Sequence, residues 1–256
     1  MMNISRSFQI NLIAVTFIVL LFICSPPSAN SQDISFETEA GVLWFGKNDV
    51  RIPNEGGTDF DMIDLIGSDL VPYYRLRLNI TFDDRHTIRL LAAPISKIGT
   101  GSLSQPVQFE ETMFQADEPI DGTYRFNTYR ITYRYTFYDR NNWTLGAGLT
   151  GLIRDAEVIL DQPEQSDSKT DLGFVPLIHL YAQRGLGQQA SLTFDGESLI
   201  GPQGRATDVS LTLAYSLTDN WSLYGGYRIL EGGADVDDVY NFALINFGLI
   251  GFEVNL

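Results

Sequence analysis

Hydrophobic and polar residues alternate with a period of two along most of this chain. In the segment TYRITYRYTFY, which begins at Thr128, one parity carries Arg130 and Arg134 among threonines, while the other parity is aromatic or aliphatic. Successive side chains of a β-strand point to opposite faces. The segment therefore predicts a strand with one polar face and one apolar face.

The same alternation, interrupted by turn-forming residues, recurs from Ile34 to Leu256. We predict ten strands from it, with eight or twelve as alternatives. Their approximate ranges are 34–50, 71–82, 86–97, 122–138, 142–159, 171–184, 188–199, 206–217, 220–231 and 239–256.

The predicted joins between these strands differ in length at the two ends of the sheet. Four joins, near Asp84, Arg140, Leu186 and Asp219, are tight and rich in turn formers. The remaining joins include two long loops, about 52–70 and 98–121, and three shorter loops near Asp161, Gly201 and Gly232. Short turns at one rim and longer loops at the other are typical of outer-membrane barrels.

Aromatic residues on the apolar parity cluster beside the tight turns. They are Phe82, Phe137, Trp143, Tyr215, Trp221 and Phe252. Such a girdle is typical of a bilayer interface, where amphipathic rings are favoured. In lipid, every backbone polar group must be paired within the fold, and a closed barrel achieves this. We therefore predict an all-β fold, a closed antiparallel transmembrane β-barrel, with the apolar parity facing lipid and the polar parity facing an enclosed lumen.

The N-terminus predicts a cleaved signal peptide over residues 1–31. Arg6 provides the charged start, the run from Gln9 to Cys24 is almost wholly apolar, and Ala29 and Ser31 are small residues before the expected cleavage point. The barrel is then expected to form a single domain over 32–256.

The charge balance restricts the partners. The chain has 17 basic and 32 acidic residues, a formal charge of −15, which argues against nucleic acid as a partner. Fourteen of the basic residues are arginine and three are lysine. Arginine is preferred where charged groups are paired in confined polar space. The spacing of acidic residues matches no calcium loop, so we expect no metal site and no cofactor.

The polar parity places equal numbers of arginines and carboxylates in the predicted lumen. The arginines are Arg75, Arg77, Arg89, Arg130, Arg134 and Arg228, and the acids are Glu37, Glu39, Asp195, Glu197, Asp208 and Glu253. Buried charges are tolerated when they are paired, and a barrel of this size has little room beyond its side chains. We predict an ion-pair network that fills the lumen, with a charged constriction in a narrow pore as the alternative.

His179 is the one candidate for a catalytic residue. It shares the lumen parity with Ser191, Thr193 and Asp195, and a histidine, a hydroxyl and a carboxylate are the groups of a nucleophilic triad. A lumen histidine bonded to a neighbouring side chain explains the same pattern. We therefore expect no catalytic residue, and a barrel enzyme acting on lipid A or peptides is the less favoured alternative.

Pro176 interrupts the strand predicted over 171–184. Proline cannot donate a hydrogen bond to a neighbouring strand, so it predicts a bulge or a local break in the sheet.

The C-terminal strand FGLIGFEVNL, the signal peptide and the unequal rims resemble those of bacterial outer-membrane β-barrel proteins. The segments RLLAAPIS, SKTDLGFVPLIHLY and YRILEGGADVDDVYNFA resemble a recurrent family of small outer-membrane proteins of undefined function. The resemblance implies a Gram-negative outer-membrane location, contact with outer-membrane lipid and lipopolysaccharide, insertion by the barrel-assembly machinery and a monomeric state. We expect a structural or surface-interaction role, with a narrow, porin-like passive channel for small solutes as the alternative.

Overall fold

The computed structural model describes residues 32–256, so the predicted signal peptide lies outside the described residues. Within them, no helix has the length and hydropathy needed to cross a membrane. The elements are β1 Gln32–Arg51, β2 Phe60–Asp61, the helix α1 Ile63–Ile66, β3 Val71–Phe82, β4 His86–Ala93, β5 Ser96–Gly101, β6 Val107–Phe109, β7 Thr112–Phe114, β8 Ile120–Arg140, β9 Trp143–Gln162, β10 Gln165–Gly185, β11 Ala190–Gly201, β12 Gly204–Ser216, β13 Trp221–Val236 and β14 Val239–Asn255.

Ten strands form the wall of a closed antiparallel barrel. Each strand pairs with the next along the chain, and β14 pairs with β1 from Ser35↔Asn255 to Arg51↔Tyr240, which closes the sheet. β4 and β5 pair with successive parts of the same neighbour, β8, so they count as one strand of the wall. β2 pairs only with the end of β1, and β6 and β7 form a separate hairpin. The predicted fold class and strand number are confirmed.

Tight turns join the strands at one end of the barrel, which we call the inner rim. Between β8 and β9, Asn141 and Asn142 have φ angles of 54° and 61°, the positive values that a two-residue hairpin turn of type I′ needs. Asp83 and Asp84 adopt the same region between β3 and β4. Asparagine and aspartate tolerate this conformation better than other residues that carry a Cβ atom. These turns set the register in which the alternating faces meet.

The opposite end, the outer rim, differs from the prediction. The joins expected to be loops near Asp161, Gly201 and Gly232 are two-residue turns at 163–164, 202–203 and 237–238, and the strands continue to them. β8, β9 and β10 are 20 or 21 residues long. At ~2.5 Å of height per tilted residue they rise ~50 Å, about twice the ~25 Å apolar band of such barrels. Their outer halves therefore stand above the hydrocarbon, where both faces are wet and the alternation of residues fades.

The exterior is apolar where the alternation is regular. Ile131, Leu149, Leu211 and Leu213 point outward, and each is more than half exposed. Near the inner rim many of the exposed apolar residues are aromatic, and they include Phe137, Trp143, Tyr215, Trp221 and Phe252. A band of apolar side chains above an aromatic girdle is the surface that a bilayer requires.

The outer half of the lumen is apolar, whereas the sequence predicted a polar lumen throughout. The two long loops fold inward and bury Met62, Leu65, Phe109 and Phe114 completely or almost completely. These side chains belong to one apolar core with inward residues of the wall. The wall residues of this core include Leu43, Phe45, Tyr124, Ile245 and Phe247. Burying the loops removes their apolar surface from water, which offsets the cost of ordering them.

Glycine permits the close approach of helix α1 to strand β5. A Cβ atom added at Gly99 would lie 2.6 Å from the Cα atom of Ile66, and one at Gly101 would collide with the backbone of Asp64. Lys97, two residues before Gly99 on β5, donates hydrogen bonds to the carbonyl oxygens of Gly67 (2.7 Å) and Asp69 (3.0 Å). The inward-folded loop is thus held to the wall by both packing and charge-assisted hydrogen bonds.

Replacing Lys97 by methionine is expected to loosen the loop over 52–70. The variant retains the length of the side chain but loses two hydrogen bonds from a charged donor, a loss of ~1.5–3 kcal/mol for a buried group. Faster cleavage of this loop by proteinase K in lipid vesicles is the expected measurement. Lys47→Met is the matched control, because Lys47 is about half exposed and its ion pair with Asp49 lies in solvent. Equal cleavage rates in the two variants would contradict the role given to Lys97.

The sheet is open between β10 and β11 over its outer part. Pairing of these strands stops at Ile178↔Ser198, so residues 165–177 of β10 have no partner on that side. On its other side, β10 pairs with β9 without a shift from Gln165 to Arg184. The bulge predicted at Pro176 is therefore absent, and the predicted local break is found in the ladder with β11. An unpaired strand edge tolerates proline, which lacks the N–H donor. We call this opening the lateral gap.

Candidate functional site

Six charged side chains meet in the lumen below the apolar core. This central ion cluster consists of Glu39, Arg75, Arg130, Glu197, Asp208 and Arg228, all of them at most 7% exposed. They come from β1, β3, β8, β11, β12 and β13. Because three guanidinium groups face three carboxylates, the cluster is electrically balanced, the condition under which buried charges are tolerated.

Asp208 lies at the centre of this cluster. Its Oδ1 accepts from Nη1 of Arg228 at 2.7 Å, and its Oδ2 accepts from Arg75 at 3.1 Å and is ion-paired with Arg130 at 2.8 Å. Three arginines therefore depend on one carboxylate. Each arginine reaches it from a different strand, so the pairing links distant parts of the wall.

The other two carboxylates of the central ion cluster are also saturated. Glu39 accepts from Nη2 of Arg228 at 2.9 Å, from Nη2 of Arg77 at 3.1 Å and from the hydroxyl of Tyr73 at 2.9 Å. Carboxylates that accept this many hydrogen bonds are held in one orientation.

The hydrogen-bonding capacity of Glu197 is satisfied in the same way, by side chains of β8 and β9. It is ion-paired with Arg130, and its Oε1 accepts from the hydroxyls of Thr132 at 3.0 Å and Thr150 at 2.8 Å. Sequence reasoning missed these hydroxyl partners and that of Tyr73. The available signal was their parity. Each of the three lies an even number of residues, two or four, from a charged residue of the lumen on its own strand.

A second group, the inner ion cluster, lies one layer closer to the inner rim. It consists of Glu37, Arg77, Arg89, His179 and Asp195. Arg77 pairs with Glu37 at 2.9 Å and Arg89 with Asp195 at 2.8 Å. Since Arg77 also reaches Glu39, the two clusters form one continuous network.

Two of the predicted lumen residues do not join an ion pair among residues 32–256. Arg134 stacks over the ring of Tyr181 at 4.0 Å and donates to the hydroxyl of Thr87 at 3.2 Å. Glu253 lies directly opposite Glu37 in the pairing of β14 with β1, where like charges meet. The structure thus brings ten of the twelve predicted residues into the network and leaves these two beside it.

The network draws side chains from most of the circumference of the wall. Nine of the ten wall strands contribute a side chain to it, including Thr150 of β9 and His179 of β10, while β14 places Glu253 beside it. A void of about 10 Å³ remains among its side chains. That volume holds roughly one water molecule. The side chains of the network therefore pack against one another with little space between them.

His179 is completely buried in the inner ion cluster. Its Nε2 lies 3.2 Å from Oδ1 of Asp195, whose other oxygen pairs with Arg89. Its Nδ1 has no hydrogen-bond partner among residues 32–256, and the hydroxyl of Thr193 accepts instead from Gln183. A triad needs a hydroxyl in reach of the histidine and access for substrate. The geometry supports a structural histidine and does not support a catalytic one.

The acidic side chains of the outer rim are dispersed. Among residues 32–256, no group of three or more His, Cys, Asp and Glu side chains is arranged to hold a metal ion. Some of the acidic residues that the sequence assigns to loops instead form ion pairs within the fold. Lys169 with Glu110 and Arg51 with Asp59 are examples.

A cavity of about 860 Å³ lies above the central ion cluster, beside the lateral gap. Its floor includes Arg130 and Asp208, and its walls come from β10 on one side and from β12 and β13 on the other. The inward positions of β12 and β13 at this level carry the small residues Gly204, Ala206, Gly232 and Ala234. The cavity exists because these positions lack bulk, while β1 and β14 fill the rest of the outer lumen with large side chains.

Comparisons with known proteins place the fold but no family. No family model matches the chain, and no curated protein sequence matches it. The solved structure of the outer membrane protease OmpT from Escherichia coli is 10% identical, with a TM-score of 0.50 over 91% of this chain and 99% of that one. The translocator domain of the autotransporter NalP from Neisseria meningitidis is 10% identical, with a TM-score of 0.41 over 98% and 97%. The attachment invasion locus protein Ail of Yersinia pestis is 11% identical, with a TM-score of 0.36 over 87% and 99%.

At this level of identity, the likeness to OmpT concerns the fold alone. That fold is the closed antiparallel barrel of bacterial outer membranes. The exterior of the described residues carries an apolar band above an aromatic girdle, which is the surface of a barrel that sits in lipid. By its fold and its exterior, this protein is a ten-stranded β-barrel of the bacterial outer membrane.

Proposed function

We propose that this protein is a sealed outer-membrane barrel with a structural or surface-interaction role, and not a pore. The observation that carries the proposal is the ion network across the lumen, to which nine of the ten wall strands contribute. A charged pore needs room for hydrated ions beside its charged side chains. Here the charges face one another, and the void among them has the size of one water molecule.

The proposed partners follow from the two surfaces that the barrel offers. Its apolar exterior band fits outer-membrane lipid, and its tall outer walls fit contact with the lipopolysaccharide that surrounds them. Insertion by the barrel-assembly machinery is part of the same proposal. Because β14 pairs with β1 of the same chain, one copy completes the barrel, which supports a monomer.

Planar-bilayer conductance tests the sealed bore. We expect no regular conductance steps from the wild-type protein, because the network occupies the cross-section. The double variant Arg130→Ala/Glu197→Ala removes a buried pair of opposite charges and their bulk, so the bore is expected to open and conduct. Regular steps from the wild-type protein would overturn the proposal and favour the narrow-channel alternative.

A matched control changes the same residue types outside the bore. Arg205 and Glu231 form an ion pair of 2.6 Å on the exterior, where their side chains are 48% and 27% exposed. The variant Arg205→Ala/Glu231→Ala should remain silent in the same bilayers. Conductance in this control would show that the assay reports damage to the barrel in general.

A further inference from the structure

We propose that the cavity in the outer half of the barrel binds an uncharged, small hydrophobic molecule that enters from the outer leaflet through the lateral gap. This inference does not depend on the proposed function, since it concerns the space above the ion network. It rests on the size of the cavity, its lining, the position of its mouth and the pairing of its charges.

The size of the cavity suits a small-molecule ligand. Its volume of about 860 Å³ falls within the range of roughly 300–1,000 Å³ that is usual for ligand sites. The adjoining outer lumen is filled by the inward-folded loops and by large side chains such as Phe45 and Phe247, whereas the cavity side has small residues. A well-packed interior leaves few voids larger than a water molecule, so an opening of this size needs a reason.

The lining of the cavity is mainly apolar. Leu152 and Leu177 line it from β9 and β10, while Leu199 and Val236 line it from β11 and β13. Leu199 and Val236 point inward by strand parity, yet each is 37% exposed. Apolar side chains left exposed inside a barrel are the surface that a hydrophobic ligand would remove from water.

The lower end of the lateral gap lies at the level of the outer leaflet. The lateral gap begins at Leu177, and Arg184 lies seven residues below it near the inner rim. At ~2.5 Å of height per residue this is ~18 Å, inside a band of ~25 Å. Outside the gap, Phe174 of β10 and Ile200 of β11 flank it on its two sides, and each is more than 70% exposed. Apolar side chains that are this exposed are expected where the mouth of the cavity contacts lipid.

The ligand cannot pass on through the barrel, because the floor is closed. Arg130 and Asp208 line the bottom of the cavity and are ion-paired at 2.8 Å within the central ion cluster. A molecule that enters from the membrane therefore cannot continue to the inner rim. The geometry points to a binding site and not to a transport route across the membrane.

The charges around the cavity favour an uncharged ligand. Each basic side chain on its inner surface already has an acidic partner: Arg154 pairs with Asp171, and Lys169 pairs with Glu110 at 2.7 Å. A charged ligand would have to displace one of these partners and leave its charge unpaired, which is costly in a partly buried site. A hydrophobic molecule without charge meets no such cost.

Photolabelling in lipid vesicles tests the inference on the full barrel. A diazirine-bearing alkane serves as the uncharged probe, and a diazirine-bearing fatty acid of the same length serves as the charged probe. After illumination, mass spectrometry locates the labelled residues. We expect the alkane to label the inner surface at 173–177 and 204–206, and to label these sites more strongly than the fatty acid does. Stronger labelling by the fatty acid, or none at these positions by either probe, would overturn the proposal.

Filling the cavity provides the matched test. Ala206→Trp should weaken alkane labelling of 173–177 by about tenfold, because the indole occupies the space next to the mouth. Ala234→Trp, on the neighbouring strand, tests the same prediction independently should the first variant not fold. Ala190→Trp is the control, since Ala190 shares the outward parity of Leu192 near the inner rim. Heat-modifiable migration confirms a closed barrel in each case. Unchanged labelling of 173–177 in a folded filled variant would overturn the proposal.

Discussion

Replacing Asp208 by asparagine is expected to lower the free energy of unfolding by about 3–5 kcal/mol. The change preserves the size of the side chain, so the loss comes from its charge. Arg75, Arg130 and Arg228 all pair with this carboxylate, and each is buried. Without it, the central ion cluster keeps three positive charges and two negative ones. Urea unfolding in lipid vesicles, followed by tryptophan fluorescence, measures the difference.

A control and a rescue separate this effect from a general loss of acidic residues. Glu231→Gln removes the acidic partner of the exterior pair with Arg205, which solvent screens, and should cost less than about 1 kcal/mol. The double variant Asp208→Asn/Arg75→Met restores the charge balance and should recover part of the lost stability. If Asp208→Asn and Glu231→Gln had the same effect, the network would not be the source of stability that its geometry indicates.

Replacing Leu211 by arginine is expected to lower the stability of the inserted barrel by about 2–4 kcal/mol. Leu211 points outward and is half exposed. It lies five residues from Ser216, the last residue of β12 at the inner rim. At ~2.5 Å per residue the position is ~13 Å into a band of ~25 Å, near its middle, where a charge on the lipid face costs most. The yield of heat-modifiable barrel and its urea midpoint in vesicles measure the effect.

The same substitution at the membrane surface is the matched control. Leu217 follows β12 at the inner rim and is also about half exposed. Leu217→Arg should cost no more than about 1 kcal/mol, because the guanidinium can reach water there. Equal losses in the two variants, or no loss in either, would argue against the position of the apolar band.

The alternation of side chains was enough to predict the wall of the barrel. It separated outward residues such as Leu211 from inward ones such as Asp208, and it located ten strands, because side-chain period and strand pairing are linked. The turns at the inner rim were also predictable, since Asn141 and Asn142 are suited to positive φ angles. Turns at the outer rim were not, because above the lipid both faces of a strand can be polar and the alternation no longer marks where pairing ends.

The membership of the ion network was largely predictable, while its pairings were not. Parity indicates which face a residue occupies but says nothing about its height in the lumen. Height depends on the stagger of the strands after closure. This stagger brings Arg89 of β4 to Asp195 of β11 across the lumen, and it leaves Arg134 against Tyr181 without a carboxylate partner among residues 32–256.

The amino-acid sequence by itself determined the topology of the wall and the two-sidedness of each strand, because these follow from local alternation and local turn chemistry. Only the tertiary structure decided that the long loops turn inward to form an apolar core, and that β10 outruns β11 to leave the lateral gap and the cavity beside it. The physical reason is that burial of a loop and the unequal ends of two strands depend on contacts between distant segments, and these exist only once the barrel has closed.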